Sequence, residues 1–146
     1  MSTPIRIPLR SLREGQEEHF TFKVSDGEMT SYAELSGDYN PLHCDESLAR
    51  SEGFDGRVVY GGLLVSKVSR MIGMHLPGFD SVWNELRIRF SNPLYVGQEA
   101  ELRATVEHVS VAARAVKLRL EIRAGATEIA RGTAGVTMRN SEAVDG

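Results

Sequence analysis

The chain has 146 residues, of which 41% are hydrophobic and 25% charged, enough for one core and unlike a disordered or fibrous composition. Its net charge of −3, from 17 basic against 20 acidic residues, gives no strong basic field, which argues against nucleic acid as a partner. The longest apolar stretch, Val58 to Leu76, is broken by Ser66, Lys67, Ser69, Arg70 and His75, so no membrane span is expected.

The elements follow in order. Residues 1–15, with Pro4 and Pro8 among charges, read as an extended lead-in. Met1 to Gly15 lacks the apolar run of a secretion signal and the lone Cys44 allows no internal disulfide, so a cytoplasmic setting is the expectation. His19 to Val24 alternates Phe20 and Phe22 toward one face, as a strand does. Ser25 followed by Glu28 is a capping-box pattern, predicting a helix from Asp26 to Ser36 with Met29, Tyr32, Ala33 and Leu35 on its buried side and Gly37 as its stop.

Asp38 and His43 come next, separated by Asn40-Pro41. A proline lacks the N–H of a helical ladder and pushes its predecessor out of the α region, so the pair is expected on an irregular loop shaped by Asn40 and Pro41. Asp45 then caps a short helix through Arg50, and Gly53 and Gly56 mark a loop before Val58. Behind Gly61-Gly62, the residues Leu64, Val68, Met71, Ile72 and His75 recur at helical spacing until Pro77-Gly78.

Four period-two series follow: Leu86, Ile88 and Phe90; Ala100, Leu102, Ala104 and Val106; Val116, Leu118, Leu120 and Ile122; Ala130, Ala134, Val136 and Met138. Short breaks between them suit hairpins, and the economical assembly is an α+β domain whose antiparallel sheet curls around the helix from Gly61. One domain is expected over residues 1–146, with its core at about 15–139 and a loose tail at 140–146. Arg87, Arg89, Arg103, Arg114, Lys117, Arg119 and Arg123 gather positive charge in the C-terminal half, either as solvated strand faces or as a dock for a phosphate-bearing ligand.

The runs Gly37-Asp38-Tyr39-Asn40-Pro41-Leu42-His43, Val58-Val59-Tyr60-Gly61-Gly62-Leu63-Leu64, Leu76-Pro77-Gly78 and Phe90-Ser91-Asn92-Pro93-Leu94-Tyr95-Val96-Gly97 resemble the MaoC-like dehydratases, in particular the (R)-specific enoyl-CoA hydratases. The resemblance implies a hot-dog fold, an antiparallel sheet wrapped around a central helix, and a homodimer with sites near the subunit interface. It places the catalytic pair on Asp38 and His43, the backbone oxyanion donor on Gly61 and a water-positioning serine on Ser69. It implies hydration of trans-2-enoyl thioesters, or the reverse dehydration, with coenzyme A or acyl carrier protein as the substrate's carrier and no cofactor. The basic strand surface is where that carrier is expected to meet the protein.

This sequence departs from the family at Tyr60, where histidine is frequent, and at Gly62, where a larger apolar residue is common. Trp83-Asn84 also stands where small or apolar residues are usual near the acyl pocket, so all four become candidates for setting the substrate. Two further readings stay open: a hot-dog thioesterase acting on the same ligands, and a non-catalytic acyl-binding subunit, against which retention of both Asp38 and His43 counts. Cys44 beside His43 is expected to be a small buried thiol and not a nucleophile. His19, His75 and His108 lack metal-ligand spacing, so no metal is expected.

Overall fold

The computed structural model describes residues 2–139; the tail expected at 140–146 lies outside them. The elements are β1 (Glu17–Lys23), α1 (Asp26–Ser36), α2 (Pro41–Cys44), α3 (Glu46–Ser51), α4 (Gly61–Arg70), β2 (Ser81–Phe90), β3 (Glu99–Ser110), β4 (Ala115–Ala124) and β5 (Thr127–Met138). The five strands form one antiparallel sheet in the order β1-β3-β4-β5-β2. This is a hot-dog fold: the sheet's apolar face and α4 share one core. Leu102, Leu118, Leu120 and Ala134 from the strands are buried with Leu63, Leu64 and Val68 from the helix.

The alternating series behave as a sheet with one dry face requires. Val116, Leu118, Leu120, Ile122 and Ala124 of β4 are all buried, and Lys117 and Arg119 between them are exposed. Across the outer face Glu121 stands between Arg131 and Arg103, while Arg131 also faces Arg89. Arg103 pairs with Glu17 at 2.5 Å and Glu101 at 3.0 Å, and Arg123 with Glu121 at 2.6 Å, so part of the basic charge is neutralised locally.

Local signals set α1. The Ser25 hydroxyl accepts from the Glu28 N–H at 3.1 Å while the Glu28 carboxylate accepts from the Ser25 N–H at 3.1 Å, and Gly37 ends the helix at φ 76°. Met29 and Ala33 are buried, but Leu35 is 87% exposed. Two residues past Ala33 is about 200° around a helix, which turns Leu35 away from the stripe.

The predicted irregular loop between Asp38 and His43 is half wrong. Pro41 opens α2 instead of preventing it, because the first helical position has no ladder bond to lose and its φ is already suitable. Asn40 caps that turn, its side-chain oxygen accepting from Leu42 N–H at 3.0 Å. At its far end α4 passes into one π-helical turn, Met71–His75, closed by Leu76 N–H to Met71 O at 2.8 Å. Among the described residues no helix is long and apolar enough to cross a membrane.

Candidate active site

α2 and the start of α4 are joined by short backbone bonds that fix the site. Val58 N–H donates to Leu42 O at 3.2 Å and Val59 N–H to Leu94 O at 2.8 Å. Arg57 reaches back with Nε to the His43 carbonyl at 2.8 Å while its Nη1 holds Asp26 at 2.9 Å. His43 is thereby clamped at both ends of its residue, since its Nδ1 lies 2.7 Å from the Val58 carbonyl. A carbonyl oxygen only accepts, so Nδ1 carries the proton and, in the neutral ring, Nε2 keeps the free lone pair.

His43 opens on a cleft of about 350 Å³ lined mainly by apolar groups, among them Phe54, Val58, Gly61, Leu64, Phe90 and Leu94. Gly61 is the first residue of α4, and the N–H groups of Gly61 and Gly62 have no acceptor among the described residues. An unpaired N–H at a helix N-terminus, backed by the helix dipole, is a donor for an oxygen that gains negative charge. A side chain at 61 would press on the Phe90 ring, whose Cζ lies 3.2 Å from the place of a Cβ.

Asp38 is exposed, and one carboxylate oxygen accepts from Asn40 N–H at 3.0 Å. It is not among the residues that line the cleft. What joins it to His43 is Tyr60, only 2% exposed. The Tyr60 hydroxyl donates to the Asp38 carbonyl at 2.6 Å, and its ring stacks on the His43 imidazole with centroids 4.1 Å apart. The other neighbour of that ring is Tyr32, at 4.6 Å. Burial, and next the Cys44 thiol at 3.4 Å, raise the Tyr60 phenol above its ordinary range, so it stays protonated and remains a donor.

The profile of the family described as "MaoC like domain" matches residues 11–128. The chain belongs to the MaoC-like family. It is 36% identical over 98 residues to an (R)-specific enoyl-CoA hydratase of Aeromonas caviae, covering 66% of this chain and 73% of that one. A solved (R)-hydratase from A. caviae superposes with a TM-score of 0.85 at 30% identity, over 88% of this chain and 98% of the other. A mitochondrial 3-hydroxyacyl-[acyl-carrier-protein] dehydratase of Arabidopsis thaliana is 39% identical over 88 residues, 60% of this chain, which spans about half (52%) of that protein.

The remaining positions singled out by the MaoC-like motif do not converge on the cleft. Ser69 is exposed near the end of α4, eight residues past Gly61 and so about 12 Å along the axis. Gly62 does not open an acyl pocket; a Cβ there would lie 1.7 Å from the Tyr32 hydroxyl oxygen. The small residue is needed because a phenol already occupies the space. Trp83 donates its indole N–H to Glu85 O at 2.8 Å beside the bulge in β2, and Asn84 donates to Thr137 at 3.2 Å. Both lie about 20 Å along β2 from Phe90, outside the cleft lining.

Two expectations change with this geometry. Cys44 is exposed instead of buried, and its thiol meets Tyr60. The arginines of the strands lie on the outer face of the sheet, whereas the cleft lies by α4, so the basic strand surface does not adjoin His43. Phe54 lines the cleft although none of the quoted runs contains it, and Phe90, which opens the run to Gly97, lines it too without having been assigned a role. For Phe90 a signal existed, since it closes an apolar series just before Asn92-Pro93 yet stays 47% exposed. Among the described residues no cluster of three His, Cys, Asp or Glu side chains could hold a metal ion.

Proposed function

We propose that the protein adds water to trans-2-enoyl thioesters to give (R)-3-hydroxyacyl thioesters, or runs the reverse dehydration. The observation that carries this reading is that His43, with its free nitrogen, and the unpaired N–H of Gly61 line one apolar cleft. Hydration needs a base for the water, a proton for the α-carbon and a donor for the enolate-like oxygen formed between.

His43 Nε2 takes a proton from water as the oxygen adds to the β-carbon, and the thioester oxygen gains charge against the Gly61 N–H. The proton then passes from Nε2 to the α-carbon, which restores the neutral ring and balances the step. The Asp38 carboxylate accepts the water's second O–H and turns its lone pair toward the substrate. Asn40 and Pro41 shape the turn that aims the pair, and Ser69 is left without a part in the cleft of one chain. These are proton transfers, for which no resident cofactor is needed. The acyl group enters the apolar cleft, carried by coenzyme A or acyl carrier protein, and the protein acts as a homodimer.

The test is to incubate purified protein with a panel of enoyl thioesters while following loss of the conjugated double bond and release of free thiol. Loss of the double bond with no thiol release is expected. Thiol release with the double bond intact would make the protein a thioesterase, and neither would leave an acyl-binding protein.

A further inference from the structure

We propose that Tyr60 is a positioning residue that sets Asp38, His43 and the Gly61 N–H in one geometry; the role rests on the hydration reading above. Tyr60 precedes Gly61 directly and is the N-cap residue of α4, where its carbonyl accepts from Leu63 and Leu64 N–H at 3.1 and 3.2 Å. Its hydroxyl is 2.6 Å from the Asp38 carbonyl and its ring centroid is 4.1 Å from that of His43. All three groups that the reaction needs are therefore referred to a single side chain. A tyrosine that merely filled the core would need only some acceptor for its hydroxyl. Here the acceptor is the backbone of one reacting residue and the stacking partner is the other.

The arrangement has little slack. A tilted ring contact with Tyr32 supports the ring on its other side, and the backbone bonds of Val58 and Val59 fix the segment that leads into Tyr60. Hydroxyl and ring act on different targets, so they can be separated by substitution. Tyr60→Phe keeps the stack and removes the bond to Asp38. Tyr60→Met fills much of the volume and removes both.

The experiment measures kcat and KM for enoyl thioester hydration and follows the His43 ring protons by NMR through a pH titration, in wild type and both variants. Tyr60→Phe should lower kcat about three- to tenfold, the range of one lost hydrogen bond, with KM and the His43 midpoint unchanged. Tyr60→Met should lower kcat about a hundredfold, as misplaced reacting groups do, and shift the His43 midpoint. A wild-type kcat in Tyr60→Phe, a loss carried by KM alone, or an unmoved His43 midpoint in Tyr60→Met would overturn the proposal. If Tyr60→Met does not fold, kcat of Tyr60→Phe decides. If wild type hydrates no enoyl thioester, the functional reading fails and the His43 midpoints still decide whether Tyr60 governs that ring.

Discussion

Replacing Gly62 by alanine should change sign of effect according to what stands at position 32. In a helix, alanine is better than glycine by at most about 1 kcal/mol, less near an end, and Gly62 is the second residue of α4. Against that gain, the new Cβ would lie 1.7 Å from the Tyr32 hydroxyl oxygen and 2.6 Å from its Cζ, so the ring has to move. Forcing a well-packed neighbour aside costs about 1–3 kcal/mol. The net in wild type is a destabilisation of up to about 3 kcal/mol, which for a domain of this length lowers Tm by up to about 12 °C. In a Tyr32→Leu background, whose side chain lacks the phenol, Gly62→Ala should stabilise by up to about 1 kcal/mol. A double-mutant cycle read by thermal denaturation measures the difference as a coupling between the two sites. Equal effects of Gly62→Ala in the two backgrounds would refute the steric account. Because the Tyr32 ring packs tilted against Tyr60 and Tyr60 stacks on His43, the same substitution should also slow hydration.

Asp38→Asn and His43→Gln should each lower turnover at least about a hundredfold while circular dichroism shows a folded chain, and near-normal turnover would remove that residue from the mechanism. The raised pKa of Tyr60 means that the folded state holds the phenolic proton more tightly than the unfolded state, whose tyrosine titrates at about 10. Its contribution to stability is whole below about pH 10 and is lost as pH rises toward the higher folded value. Tyr60→Phe should therefore flatten the alkaline decline in urea unfolding, and an unchanged slope above about pH 10 would contradict this. Light scattering at assay concentration should report a dimer, because β2 ends the sheet with a ten-residue edge that invites pairing. A fully active monomer would exclude it.

What the sequence made legible was local. The Ser25–Glu28 box, the glycine at 37 and the alternation along β3, β4 and β5 each act within a few residues, and each stands in the structure. Pro41 shows where the same reasoning stops: a proline forbids a helix interior but suits a helix start, and only the Asn40 cap distinguishes the two. Leu35 matched the apolar spacing loosely and ended exposed, since Met29 and Ala33 already define the buried stripe.

The sequence motif pointed to His43 and Gly61, which the structure brings to one cleft, but how the neighbourhood is assembled was not legible, because it depends on contacts across tens of residues. Tyr32 fills the space over Gly62, thirty positions away, and no pattern in either stretch announces it. Trp83 and Asn84 stand where the family has small or apolar residues near the acyl pocket, yet the direction of β2 carries them to the opposite end from Phe90. Tyr60 is the instructive case. Read against the family it was a departure and so a candidate for choosing the acyl group, but a buried phenol whose hydroxyl and ring are both engaged by Asp38 and His43 has no free surface left to offer a substrate. Its effect on selectivity, where there is one, has to pass through the placement of the groups it holds.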